Sequence, residues 1–221
     1  MQYIIEAAKC LRHLQHPDAL TLYNQAARMH QEDNRTAQAG RLYAECAQFA
    51  HDIGQRDVAI ENYTKAADCY LHENSTITAH SNLLKAADLR ALKGEYKEAI
   101  ATYERVAEQQ LNNSSVSGSV PDYYFKALLC QMASECKSGN LSGVLVRLAE
   151  YVDMCPRLRN SKEERLITML CDAFNKPDAA EFSAALRDYD RIYRLNEFTT
   201  SLLYEVKVSL DRGDEELLDL K

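Results

Sequence analysis

Apolar residues recur along this chain at intervals of three and four. Ala59, Ile60, Tyr63, Ala66 and Ala67 fall at i, i+1, i+4, i+7 and i+8, one face of a helix with about 3.6 residues per turn. The same face is written three times in register, from Ala19 to Ala27, Ala59 to Ala67 and Ala99 to Ala107, at a spacing of forty residues. Twelve residues ahead of each opening alanine stands another, Ala7, Ala47 and Ala87, inside its own apolar-periodic stretch. The pattern predicts a repeated pair of helices joined by polar turns at 15–18, 54–57 and 93–96. Gly54 and Gly94 are placed to end helices in the left-handed conformation, and Pro17 suits a first helical turn.

Small alanines let neighbouring helices approach closely, and the tyrosine fills the groove beside them. Each hairpin leaves one apolar face bare and the next hairpin covers it, which is tetratricopeptide-like packing. The expected fold is all-α: a right-handed α-solenoid of hairpins with a C-terminal helical bundle. On this reading Tyr23, Tyr63 and Tyr103 belong to the core, with Met29, Met132, Met154 and Met169. Hairpin repeats fill 1–111, and a Ser-, Asn- and Gly-rich connection spans 112–121. Further hairpins and the bundle run over 122–210, with helices near 142–153, 163–174, 179–193 and 197–210. An acidic tail threaded with leucines closes the chain at 211–221.

Composition supports helices and removes much chemistry. Seven Gly and four Pro in 221 residues are too few for a turn-rich β-barrel or sandwich. No run approaches the roughly 18 apolar residues of a membrane span, and residues 1–6 are too short and acidic for a secretory signal, so a cytoplasmic location is expected. A net charge of −7 disfavours broad nucleic-acid binding. The seven cysteines are odd in number and no two are separated by only two residues, so buried reduced thiols are expected rather than zinc or redox sites. Glycine-rich phosphate loops, nucleophile elbows and metalloprotease motifs are missing, which leaves no enzyme activity, metal or cofactor to assign. His13 and His16 read as turn histidines, and the pairs Glu163–Glu164 and Glu215–Glu216 as solvated acids rather than a desolvated general acid.

What is left is a binding scaffold whose charges carry the information. Arg12, Arg35, Arg41 and Lys85 recur near helix starts or on the first helices of successive hairpins, and would align as a basic stripe facing an acidic helical partner. Residues 181–221 instead hold six basic and ten acidic side chains. Several segments carry a more specific signal: Ala59-Ile-Glu-Asn-Tyr63, Asn82-Leu-Leu-Lys85, Tyr96-Lys-Glu-Ala-Ile100, Asp122-Tyr-Tyr-Phe-Lys126, Tyr189-Asp-Arg-Ile192, and the closing Gly213-Asp-Glu-Glu216 with Asp219-Leu220. In that order, over nearly the whole chain, they resemble the alpha-type soluble NSF-attachment protein family.

The resemblance implies an adaptor that coats the SNARE four-helix bundle and recruits and stimulates the hexameric AAA ATPase of the NSF type that unwinds it. Such a protein is cytoplasmic and peripherally membrane-associated through its SNAREs. SNARE binding would fall on Arg12, Arg35, Arg41 and Lys85, with Ser81 where the family carries a lysine. ATPase binding would fall on Glu135, Asp172 and Leu220, with Asn175 and Lys176 where two family acids stand. Members begin with further repeats and an apolar membrane-touching loop, so this chain is expected to start after both and to leave Ile4, Ile5 and Leu11 without a preceding neighbour. The alternative left open is a general tetratricopeptide co-chaperone or scaffold that grips peptide tails through Lys, Arg and Asn clustered in one concave pocket.

Overall fold

The computed structural model describes the backbone of residues 2–111 and 117–219, and side chains as far as Asp211. The regular elements among these residues are helical: α1 (Gln2–His13), α2 (Asp18–Glu32), α3 (Thr36–Asp52), α4 (Arg56–His72), α5 (Thr76–Lys93), α6 (Tyr96–Leu111), α7 (Val120–Glu135), α8 (Ser142–Met154), α9 (Lys162–Asn175), α10 (Ala179–Tyr193) and α11 (Glu197–Asp219). Single 3-10 turns stand at Ser117–Ser119, Cys136–Ser138 and Pro156–Leu158. This is the all-α arrangement of consecutively packed helices that the periodicity predicts.

The repeat is finer than forty residues. Ala39 and Ala79 fall halfway between Ala19, Ala59 and Ala99, and all five are fully buried. Four residues on, Tyr23, Tyr43, Tyr63, Leu83 and Tyr103 are buried, and four beyond those, Ala27, Ala47, Ala67, Ala87 and Ala107. Each helix from α2 to α6 therefore carries one buried stripe, and the repeating unit is a single helix with its turn.

The turns show why the spacing holds. Gln15, Asn34, Gly54, Asn74 and Gly94 all take positive φ, between 53° and 87°. In each case the next residue donates its N–H to the carbonyl five back, as Arg35 does to His30 and Gln55 to Ala50, both at 2.8 Å. From Arg35 onward, that residue's own carbonyl accepts the first bond of the following helix, from Ala39, Ala59, Ala79 and Ala99. In the first turn Ala19 donates to the His16 carbonyl three back rather than four, so this connection is one residue shorter than the later ones and α1 is displaced by one position. Ala8 is consequently the buried alanine of α1, and the expected Ala7 is exposed.

The chain divides into two compact units, Met1–Leu89 and Arg90–Lys221, and the division falls inside α5. In the first unit α1 packs on α2, α2 on α3 and α3 on α4. Ile4, Ile5 and Leu11, expected bare, are half-buried against the core. Gly40 takes the place held by Leu20 and Ile60 on the flanking helices, and it lets α3 and α4 close together. A Cβ there would meet the Cys69 Cβ at 3.0 Å and the Tyr70 ring at 3.4 Å.

In the second unit α7 is the hub, touching α6, α8, α9 and α11, while α10 packs on α9. Tyr124 and Tyr151 stack with centroids 4.3 Å apart. Glu104 Oε1 accepts from the Tyr151 hydroxyl and from Arg147 Nη1, each at 2.6 Å, which pins α8 to α6.

Some expectations change. Met132 is buried and Met29 half-buried, but Met154 at the end of α8 and Met169 on the outer side of α9 are exposed. Six cysteines are buried and Cys10 is exposed. Helix α11 does not stop at Leu210 but continues through Gly213 to Asp219. Residues 112–116 of the expected connection lie outside the described residues, and from Ser117 the chain is already turning into α7, with Pro121 in its first helical turn.

Gly40→Val adds volume where backbone and ring already touch. Overpacking of this kind costs about 1–3 kcal/mol, so the variant should unfold at lower urea with an unchanged slope. An unchanged midpoint would show that α3 and α4 do not depend on their close approach.

Candidate functional site

Arg12 lies half-buried in the last turn of α1, its guanidinium facing the buried Tyr23 hydroxyl outside hydrogen-bond geometry. Burial pushes that hydroxyl above its usual range, Arg12 and Lys9 of α1 pull it down, and Glu45 of α3 pushes it up. Glu45 Oε1 also accepts from Arg41 Nε at 3.0 Å. Arg12 and Arg41 therefore share one face of the first unit. Lys85 holds its ammonium 5.3 Å from the centre of the Tyr63 ring, and Tyr63 donates to Gln48 Oε1 of α3 at 3.0 Å. Gln48 is one turn beyond Glu45 on α3, so Lys85 extends the same face. Arg35 is exposed at the start of α3, its backbone held by the turn bonds on both sides.

Counting in twenties, Arg35, Arg41 and Lys85 stand on odd-numbered helices where Gln55, Glu61 and Lys65 stand on α4. Successive antiparallel helices turn equivalent residues to opposite faces. The second face holds a groove of about 770 Å³ lined by side chains of α2, α4 and the turns before them, and by none from α3. Its charges are mixed, with Asp18, Glu32 and Glu61 beside Arg28 and Lys65.

The sequence reading missed a recurring contact. Lys65 lies over the Tyr43 ring at 5.7 Å, as Lys85 does over Tyr63, and Lys126 lies over Tyr103 at 5.8 Å and over Phe198 at 5.0 Å. Each such contact contributes about 0.5–1 kcal/mol at a partly exposed site. Its signal is legible as a lysine 22 residues after Tyr43 and after Tyr63.

In the second unit, Glu135 ends α7 half-buried and accepts from Gln131 Nε2 at 2.7 Å. Its carboxylate lies against the first turn of α8, where a Cβ on Gly143 would come within 2.7 Å of Oε1. Asp172 is exposed on α9. The Cys171 thiol is pushed up to about 12, chiefly by burial and then by Asp172 and Glu135, which places both carboxylates around one buried sulfur. Asn175 lies at this end of the unit as well, its Oδ1 accepting the Leu141 N–H at 2.9 Å just ahead of α8. Lys176 follows it, exposed. Leu220 lies outside the described residues, and so do the side chains of Glu215 and Glu216.

Glu163 corrects the reading of solvated acid pairs, because it is buried in the first turn of α9 and Glu164 is half-buried. Glu164 is drawn in by the helix start: its N–H donates to the Ser161 hydroxyl at 3.1 Å, and its carboxylate accepts from the Asn160 N–H. Glu163 lies among Asp122, Lys162 and Tyr189. Among the described residues no three His, Cys, Asp or Glu side chains are grouped to hold a metal ion, and no helix is long and apolar enough to cross a membrane.

Single-helix repeats with charged side chains on their faces define a helical-repeat scaffold. Comparison with known proteins gives the family: the chain belongs to the soluble NSF attachment proteins, whose family model, "Soluble NSF attachment protein, SNAP", matches residues 1–211. It is 28% identical over 219 residues to the alpha-soluble NSF attachment protein of Vitis vinifera, covering 99% of this chain and 74% of that one. It is 26% identical over 213 residues to the alpha-soluble NSF attachment protein of Homo sapiens, covering 96% and 70%. A probable vesicular-fusion protein sec17 homolog of Schizosaccharomyces pombe is 30% identical over 169 residues, covering 76% and 57%. These relatives are named for attachment and vesicular fusion, not for catalysis.

Asp122, itself exposed, lies beside the buried Glu163, and the pair generates a pH dependence. Burial, then the Glu163 charge, raises the Asp122 carboxyl above its ordinary 3.8, against the pull of Lys162 and Lys126. A carboxyl with a raised folded value favours the folded state when protonated, and its cost to folding grows as pH rises from the unfolded value through the folded one. Asp122→Asn should therefore gain melting temperature relative to the parent as pH is raised from about 3 to about 7. A difference independent of pH over that window would show that neither burial nor Glu163 raises the Asp122 carboxyl.

Proposed function

We propose that this chain is a non-catalytic adaptor in SNARE-complex disassembly. The basic face of the first unit, with Arg12, Arg35, Arg41 and Lys85, holds the acidic grooves of a SNARE four-helix bundle. The surface around Glu135 and Asp172, together with Leu220, docks on a hexameric AAA ATPase of the NSF type and stimulates it. The protein works in the cytoplasm and reaches membranes peripherally through the SNAREs. The observation that supports this most is the convergence of Arg12, Arg41 and Lys85 on one face, in a chain that matches the family over residues 1–211.

Magnitudes set the mode of binding. An exposed ion pair contributes at most about 1 kcal/mol, so one copy grips weakly and several copies on one rod are needed. Arg41 already shares its guanidinium with Glu45, which lowers its net contribution to a partner. Asn175 at a family acid position keeps the acceptor that holds Leu141 while giving up a charge, so the acidic surface is weaker than the family pattern.

Retention on immobilised SNARE complex at low and high salt tests the first half. Arg41→Ala should weaken retention no more than about fivefold, and the triple replacement of Arg12, Arg41 and Lys85 by Ala should abolish it at moderate salt. Capture of peptide tails that ignores salt, with no SNARE retention, would replace this reading by the peptide-scaffold alternative. For the second half, ATP hydrolysis by the partner ATPase should rise with the chain and fall back with Leu220→Ala. Equal stimulation by both would remove Leu220 from the mechanism.

A further inference from the structure

The α2–α4 groove has no part in the adaptor reading, and its chemistry differs from that of the Arg12–Arg41 face. Two asparagines in it donate from their side-chain amides to groups of the protein itself. Asn62 Nδ2 donates to the Val58 carbonyl at 2.9 Å, and Asn24 Nδ2 to the Leu20 carbonyl at 2.9 Å and to Cys46 Sγ at 3.2 Å. Both side chains line the groove, and each keeps its carbonyl oxygen as an acceptor. Asn62 is 1% exposed, and its Oδ1 has no hydrogen-bond partner among the described residues. A buried acceptor left without a donor is costly, and a donor from a ligand removes that cost. Lys65 is engaged with Glu61 at 2.6 Å, which leaves Asp18 and Glu32 to outweigh Arg28.

The groove thus offers acceptors and carries one more acidic than basic side chain, Asp18 having the His16 ring 3.5 Å away. Beyond its first turn a folded helix has no backbone N–H left to give, whereas an extended strand has them along its length. Asp18 and Glu32 bound a run of α2 about 21 Å long at 1.5 Å per residue, the reach of about six extended residues. A volume of 770 Å³ lies within the usual range of ligand sites. We propose that this groove binds an extended polypeptide segment bearing basic side chains. One of its backbone N–H groups donates to Asn62 Oδ1, and its lysines or arginines pair with Asp18 and Glu32.

The test titrates the 15N-labelled full chain at low salt with acetyl-AKAKAK-amide and, separately, with acetyl-AEAEAE-amide. The lysine peptide should shift resonances of α2 and α4, with the side-chain amide of Asn62 among them, and the glutamate peptide should not. Asn62→Leu should weaken the lysine peptide about tenfold, the loss of one hydrogen bond to a buried group. Glu32→Gln alters an exposed side chain and leaves the core intact, and should weaken it at least about threefold. Arg12→Ala, on the other face, should leave it unchanged. The proposal is overturned if the lysine peptide shifts nothing on α2 and α4, if the glutamate peptide shifts the same resonances as strongly, or if neither groove variant lowers affinity. SNARE retention by Asn62→Leu should match the parent, so failure of the groove and failure of the adaptor reading are read out separately.

Discussion

Each early helix of this protein ends when one residue turns left-handed, and the residue after it both closes the old helix and opens the new one. Arg35, Gln55, Ser75 and Glu95 each donate back across five residues and each accept the first bond of the helix that follows. The connection cannot lengthen without losing one of those bonds. It therefore sets where the next buried stripe begins, and the first connection shows the consequence: Gln15 stands four residues ahead of Ala19 where the later left-handed residues stand five ahead of their alanines, and the stripe of α1 moves from Ala7 to Ala8. Left-handed backbone costs a residue with a side chain about 1–2 kcal/mol relative to glycine, less for asparagine. Asn34 and Asn74 alternate with Gly54 and Gly94 at this position, so the chain meets that cost at every second turn.

The same constraint distributes the charges. With one helix per repeat, equivalent positions on neighbouring helices point to different faces, and the two faces can evolve separate chemistry over a common core. Arg41 and Glu61 are register mates, as are Lys85 and Lys65. The first of each pair stands on the Arg12 side, Arg41 on Glu45 and Lys85 over the Tyr63 ring, and the second lines the groove. Tyrosine serves both, since its ring fills the space between helices while its hydroxyl and the ring face beneath a lysine reach polar groups at the surface.

Much of this is legible in the sequence, and the failures have physical causes. The forty-residue spacing is visible because Tyr63 repeats Tyr23 and because Gly54 and Gly94 are plain stop signals. The twenty-residue unit is hidden because Leu83 replaces the tyrosine, Gly40 replaces a large residue, and asparagine does the work of glycine at 34 and 74. Gly40 would be read as a weak point in a helix from propensity alone, yet here close approach to Cys69 and Tyr70 requires it. The charged candidates can be named from their segments, but which of them meet depends on tyrosine hydroxyls and on carboxylates such as Glu45, whose side-chain positions no periodicity specifies. Glu163 fails for a related reason: polarity of a stretch reports its average, and a first-turn residue can lie under neighbouring helices while its neighbours stay wet.

Glu135 and Asn62 share a logic that bears on how such a scaffold stays both stable and adhesive. Glu135 holds its carboxylate against the start of α8, where the positive end of the helix favours it, so the charge stabilises the fold before any partner arrives. A partner that takes this charge must compete with α8 and gains correspondingly less from the contact. Asn62 is the converse case, because its oxygen is buried without a donor and the fold bears that cost until something supplies one. A ligand at Glu135 would therefore be discounted by an internal contact, and one at Asn62 would be strengthened by the lack of one. The strength of a surface on this protein follows less from how many charges it displays than from how many are still unspent.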